Sequence, residues 1–286
     1  MSKIGIVVDS TADFAPHEYE ELDVICLVTP VVIDEVSYDD PYEITPAQFY
    51  EKLVASDGLP KTSQPSRASM HAGYQKCIDA GCTDIMFITL SSKMSGTYNS
   101  ALVTADECAI PVTVIDSRSV SVGFGHITRE AVRKRAEGVS IEELTAHVEG
   151  IIDSHRTYCI LDTLHYLVKG GRAGKTAGLA ASLLSIKPIL EISPEGEMVP
   201  VKKCKGRQRA MNEMAHLVEQ YVEAHGPINY TILYSSNPSL AYEFSNVLDT
   251  VQIDGTKLGV GVVGPAVGTY VAPEGVGIAF YTRPLG

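Results

Sequence analysis

The sequence lacks the marks of several protein classes. Its six cysteines (Cys26, Cys77, Cys82, Cys108, Cys159 and Cys204) form no C-x-x-C pair and stand at no zinc spacing with histidine. Most lie in apolar periodic segments, so buried free thiols in a reducing compartment are expected, with no metal site. A basic excess is missing too, since 23 Lys and Arg face 35 Asp and Glu for a net charge of −12. That excludes the basic stripe of a nucleic-acid binder, while one small positive patch for a docking partner stays compatible. No apolar run reaches the roughly 20 residues of a membrane span. Met1-Ser2-Lys3 runs straight into the apolar Ile4-Gly5-Ile6-Val7-Val8 with no cleavable signal, and a cytoplasmic protein is expected. There is no internal repeat and no low-complexity tract.

Three site motifs are approached and missed. Gly170-Gly171-Arg172-Ala173-Gly174-Lys175-Thr176 resembles a phosphate-binding loop, but the first glycine of G-x-x-x-x-G-K-[ST] would fall on Lys169, and a helical segment feeds it. Arg172 beside two glycines either meets a phosphate or sits in solvent at a helix end closed by glycine. Gly259-Val260-Gly261-Val262-Val263-Gly264 fits G-x-G-x-x-G, yet its β-branched filler reads as strand and Pro265 stands where the helix should open. The Gly264 to Tyr270 loop that follows could bring backbone close to a ligand. No G-x-S-x-G surrounds Ser95. The eight histidines fall mostly on helical stretches that read as solvent-facing, and none is paired with a serine. His165, near Arg172, reads first as structural.

What is present is an α/β chain long enough for two cores, 45% hydrophobic and 20% charged. Apolar runs at Ile4–Val8, Ile85–Ile88 and Val112–Ile115 alternate with helical patterns, as in a doubly wound, mostly parallel sheet. Val24 to Ile33 reads as one further strand. Thr45-Pro46 opens a helix to Ser56, Ser66 caps one ending at Gly81, and two more start near Gly125 and Ser140, where Glu143 completes a capping box. Past residue 156 the spacing changes. A strand at Tyr158–Leu161 leads to a small-residue helix (Thr176 to Ser185) and a hairpin, Lys187–Ile192 with Met198–Lys203. A long helix with Ala210, Met214, Leu217, Val218 and Tyr221 on one face follows, then strands at Tyr230–Tyr234, Lys257–Val263 and Val276–Tyr281. The expectation is two domains, 1–156 doubly wound α/β and 157–286 smaller α+β, with a ligand tunnel between them.

The strand ends are polar. Asp9-Ser10 and Asp116-Ser117 stand where open α/β sheets hold ligands, or else cap the next helix. Lys61-Thr62-Ser63-Gln64-Pro65-Ser66 is too polar for core, and either lends a hydroxyl to an anion or makes a turn. The stretch Leu90-Ser91-Ser92-Lys93-Met94-Ser95-Gly96-Thr97-Tyr98 carries the clearest site signal. Apolar Ile85–Ile88 ends in hydroxyls and a glycine, and a helix begins near Thr97. With Ser95 as N-cap, its hydroxyl and the free N–H groups of Gly96 to Tyr98 would converge on one spot suited to a carboxylate. The plain alternative is that Ser95 only caps the helix.

Taken together, these segments resemble the DegV family of bacterial proteins. The matching pieces are Val8-Asp9-Ser10-Thr11, Thr62-Ser63-Gln64-Pro65-Ser66, Leu90-Ser91-Ser92 with Ser95-Gly96-Thr97-Tyr98, and Asp116-Ser117. Leu164-x-Tyr166-Leu167-x-Lys169-Gly170-Gly171-Arg172, Lys187-Pro188-Ile189-Leu190 and Gly264-Pro265 with Gly268-Thr269 complete the set, in family order over nearly the whole chain. The resemblance implies a two-domain lipid-binding protein that encloses one long-chain fatty acid. It also implies an acyl-binding partner (FakB type) of fatty acid kinase, whose catalytic subunit phosphorylates the bound carboxylate with ATP in bacterial lipid metabolism. The implied ligand-binding set is Thr62, Ser63, Ser95, Gly96, Thr97, Thr269 and Tyr270, with Arg172 facing the kinase or the phosphoryl group. Tyr270 stands where the family usually has histidine, a neutral phenol in place of a titratable ring. No catalytic residue, metal or cofactor is implied beyond the fatty acid itself.

A fatty acid needs an apolar tunnel with one polar end. Gly178, Ala180, Ala181 and Ser182 beside Leu179, Leu183, Leu184 and Ile186 would line it, or would serve ordinary helix packing. Three readings stay open: a carrier that presents a carboxylate to a kinase, a stand-alone serine hydrolase or acyltransferase using Ser95, and a lipid-responsive sensor.

Overall fold

The computed structural model describes residues 3–182 and 186–282, the side chains of 179–182 excepted. The strands are β1 (Ile4–Asp9), β2 (Val24–Leu27), β3 (Thr29–Ile33), β4 (Val36–Asp40), β5 (Lys61–Thr62), β6 (Asp84–Thr89) and β7 (Val112–Asp116), then β8 (Arg156–Ile160), β9 (Ile186–Ile192), β10 (Met198–Lys205), β11 (Ile228–Tyr234), β12 (Gly255–Val262) and β13 (Val276–Thr282). The helices are α1 (Pro16–Glu21), α2 (Pro46–Ala55), α3 (Arg67–Asp79), α4 (Thr97–Ala105), α5 (Ser121–Arg135) and α6 (Ile141–Ser154), then α7 (His165–Lys169), α8 (Arg207–His225), α9 (Pro238–Leu248) and α10 (Pro265–Val271).

They build three sheets. The first, in order β2-β1-β6-β7, is parallel throughout. The second, β10-β9-β8-β13-β11-β12, is antiparallel except for the β11–β12 pair. A small antiparallel sheet, β4-β3-β5, stands apart from both.

Side-chain alternation sets the layers. Ile4, Ile6, Val8, Met86 and Ile88 face one way, onto Phe124 and Ile127 of α5 and Leu144 and Val148 of α6. Val7, Ile85 and Phe87 face the other way, onto Met70 and Tyr74 of α3 and Ala101 of α4. The second sheet closes the α5–α6 layer from behind with Cys159, Leu190, Ile192, Leu233 and Ala279, so one core joins both sheets. Its far face packs Ile160, Ile189, Ile232 and Ile278 under α8 and α9.

The α/β class and the parallel first sheet agree with expectation, and the α6 capping box from Ser140 and Glu143 is present. Val24 to Ile33 is two strands and not one, because the chain leaves the parallel sheet after Leu27 and enters the small sheet at Thr29. The polar Lys61-Thr62 pair is a short strand on β3. The glycine-rich loop before Tyr270 is a helix, α10, with Pro265 at its first turn. The small-residue segment is a 3-10 helix, Gly174–Ser182. Leu183 and Leu184 lie outside the described residues. Among the cysteines, all free, Cys77, Cys159 and Cys204 are buried while Cys26, Cys82 and Cys108 are only partly covered. Among the described residues no helix is long and apolar enough to cross a membrane.

Candidate functional site

Strand order reverses at β1, which has β2 on one side and β6 on the other, and the carboxyl ends of such strands open a crevice. The loop after β6 lies there, fastened from three directions. Asp9, at the end of β1, accepts the Leu90 N–H at 2.8 Å. Asp116, at the end of β7, accepts the Ser92 N–H at 3.1 Å, and the Ser119 carbonyl accepts that of Ser91 at 2.8 Å. The Ser91 hydroxyl donates to the Gly196 carbonyl at 2.8 Å, tying the loop to the β9–β10 hairpin of the second sheet. Asp9 thus holds the fold together and also caps the short 3-10 turn after β1.

Ser95 and Thr97 follow at the entry to α4. The Ser95 hydroxyl lies 2.9 Å from the Thr97 hydroxyl and accepts the Thr97 N–H at 3.3 Å. The helical cap position is Gly96 and not Ser95, so the serine bonds one residue short of the expected geometry. Facing this corner is a second group from distant segments. Thr62 Oγ1 lies 2.7 Å from the Tyr270 hydroxyl. The Arg172 guanidinium lies 4.8 Å from the Tyr270 ring centroid and donates to the Gly170 carbonyl at 2.8 Å and the Met94 carbonyl at 3.2 Å. The paired glycines have separate reasons. A Cβ on Gly170 would strike the Tyr270 ring, and Gly171 takes a φ of +74° that suits glycine.

Behind this corner a cavity runs between the two large sheets. Its volume, mouth included, is about 1040 Å³, and it forms a slot between the sheets. The polar lining at the exposed end includes Thr62, Ser63, Gln64, Ser95, Thr97, Arg172 and Tyr270. The interior is mostly apolar, with Leu90, Leu161, Leu167, Ile192, Leu233 and Val276. Of the residues expected at a head group, Thr62, Ser63, Ser95, Thr97 and Tyr270 share this cavity, together with Arg172, expected to face a kinase or phosphoryl group. Gly96 and Thr269 are not on its wall, and the buried Thr269 hydroxyl donates to the Pro265 carbonyl at 3.1 Å within α10.

Several buried polar groups surround the site, of which only Asp9 was singled out in the sequence. Burial pushes Asp9 up to about 6 and Asp13 up to about 7, and raises Asp40 well above the usual carboxylate range. Asp13 accepts a hydrogen bond from Ser121 on the cavity wall, and Asp40 accepts from Ser10 at 3.4 Å and from the Ala266 N–H at 3.3 Å. His126 and His155 are buried, contrary to the solvent-facing expectation, because α5 and the end of α6 lie between sheets. Burial lowers His126 to about 3 and His155 well below its ordinary value. His165 is exposed, edge-on to Tyr166. Lys175 of the near-miss phosphate loop pairs with Glu197 at 3.2 Å. No three His, Cys, Asp or Glu side chains among the described residues are grouped to hold a metal ion.

The family model described as "Uncharacterised protein, DegV family" matches residues 3–283. The chain belongs to the DegV family. A DegV domain-containing protein of Clostridium acetobutylicum is 29% identical over 285 residues, 99% of this chain and 100% of that one. A structure described as fatty acid binding of a DegV family protein from Thermus thermophilus is 27% identical, with a TM-score of 0.89 over 98% of this chain and 100% of the other. A stearic-acid-binding protein from Eubacterium ventriosum is 25% identical, with a TM-score of 0.87 over 99% and 98% of the two chains.

Proposed function

We propose that this DegV protein binds one long-chain fatty acid in the slot between the sheets, with its carboxylate at the polar mouth. The observation that carries the reading is a largely apolar cavity whose exposed end gathers hydroxyls and a guanidinium from distant segments. Burying a sixteen-carbon tail contributes roughly 10 kcal/mol before ordering costs, at about 0.8 kcal/mol per methylene. That gain survives only if the carboxylate is hydrogen-bonded. Thr62, Ser63, Ser95 and Tyr270 supply hydroxyls, and α4, opening at Gly96 and Thr97, sets its positive dipole end beside Ser95. Thr269 contributes by holding α10, and through it Tyr270, in place. The fatty acids named for solved relatives support the ligand class.

The chain then acts as a cytoplasmic carrier that is not catalytic alone. A separate fatty acid kinase supplies ATP. A carboxylate oxygen attacks the γ-phosphorus, the bond to ADP breaks, and an acyl phosphate remains on the carrier. Arg172, whose guanidinium makes two backbone bonds among the described residues and leaves further N–H groups, meets the added charge. With the chain divided near residue 156, Thr62, Ser63 and Ser95 fall on the first part, Tyr270 and Arg172 on the second, and the tail's wall on both. A hydrolase mechanism is less well supported, since the Ser95 hydroxyl is bonded only to Thr97 among the described residues and has no base there. The test is organic extraction of the purified protein with mass spectrometry, then incubation with fatty acid kinase and ATP. A co-purified long-chain acid that becomes an acyl phosphate is expected. A preparation that carries no acid and takes up no palmitic acid would overturn the reading.

A further inference from the structure

Two hydroxyls on the cavity wall have nothing to bond. Thr29 and Thr157 line the slot, and their Oγ1 atoms are sealed from solvent and have no hydrogen-bond partner among the described residues. Neighbouring wall hydroxyls are committed, Thr11 to Asp9 and Ser121 to Asp13. Thr29 stands two residues along β3 from Val31, the pairing partner of Thr62, so it lies towards the mouth. Thr157 is on the face of β8 that also presents Cys159 to the slot. The preceding residue on that face, His155, is buried with Nε2 unpartnered. Ser119 Oγ, unpartnered too, and His155 Nε2 stand 2.6 and 2.9 Å from where a Cβ on Gly123 would be. Polar groups therefore continue behind Thr157 in place of hydrocarbon.

A plain alkyl chain would leave both hydroxyls without a bond. A hydroxyl on the chain can donate to and accept from each. Resting on the fatty-acid reading above, we infer that the ligand of this slot is a hydroxylated long-chain acid, its chain hydroxyl paired by Thr157 deep in the slot or by Thr29 nearer the carboxylate.

The experiment titrates the full chain with palmitic acid and with hydroxypalmitic acids whose hydroxyl moves stepwise from the β to the ω carbon. At least one isomer binds about tenfold tighter than palmitic acid, the usual worth of one repaired buried hydrogen bond. Thr157→Val abolishes the preference for a distal isomer and tightens palmitic acid, Thr157→Ser keeps the preference, and Thr29→Val does to a proximal isomer what Thr157→Val does to a distal one. The serine variant separates a lost hydroxyl from a damaged fold. Isomers that bind no tighter than palmitic acid, or a preference that survives both valine variants, overturn the inference and leave fatty-acid binding standing. Failure of every acid to bind overturns both.

Discussion

Replacing Asp13 with asparagine tests how the turn after β1 is held. The carboxyl group, ordinarily near 3.8, is pushed up to about 7 by burial, against the opposing hydrogen bond from Ser121. A group raised in the folded state contributes stability that is full below its unfolded value and is lost as pH rises through the folded value. Wild-type protein therefore loses this contribution between about pH 4 and pH 8. About three units at about 1.4 kcal/mol each give an upper figure of about 4 kcal/mol. Asp13 is only partly buried as a residue, and Asp9 and Asp40 share its field, so about 2–4 kcal/mol is the expected span. The buried histidines act in the opposite direction, since their lowered values mean stability lost as pH falls below about 6.5. They are common to both proteins and cancel in the difference. Urea unfolding at about pH 4 and pH 8 gives that difference directly. Asp13→Asn gains about 2–4 kcal/mol on wild type across the interval; parallel curves for the two proteins would refute the reasoning.

Ser95→Ala weakens palmitic acid binding by about 1–3 kcal/mol through one charge-assisted bond, read by calorimetric titration; an unchanged affinity puts the head group elsewhere. Arg172→Ala reduces acyl-phosphate formation by about tenfold or more while lowering lipid affinity much less, and equal losses in both assays would end the division of labour between them. Gly170→Ala drives a methyl into the Tyr270 ring and the Tyr166 carbonyl, destabilising by about 1–3 kcal/mol in thermal unfolding. Tyr270→Phe leaves Thr62 without its 2.7 Å partner and lowers stability by about 1 kcal/mol, detectable by the same measurement.

Much of the fold was legible because its signals are local. The apolar runs of β1, β6 and β7 and the Ser140–Glu143 box each depend on residues a few positions apart. Val24 to Ile33 misled because β2 and β3 share one composition, and only tertiary pairing separates them. α10 was hidden by its glycines, although Pro265 at a helix's first turn was a usable signal. The mouth residues were visible as motifs, but their meeting was not, since Thr62 and Tyr270 are 208 positions apart. Thr29 and Thr157 sit inside strands and look like ordinary β-branched filler. His126 and His155 were misjudged because a helix between two sheets keeps charged residues at its ends, and those charges read as a solvent-facing surface.

The same apolar cluster that welds the two large sheets also borders the slot, through Leu90, Leu161, Leu167, Ile192 and Leu233 around its perimeter. A guest there would be a load-sharing member of the interior, so unfolding would have to expel it and melting temperature would climb with free lipid. Its departure would likewise wait on the sheets parting, which makes exchange a matter of breathing in the scaffold and ties cargo release to whatever loosens that seam.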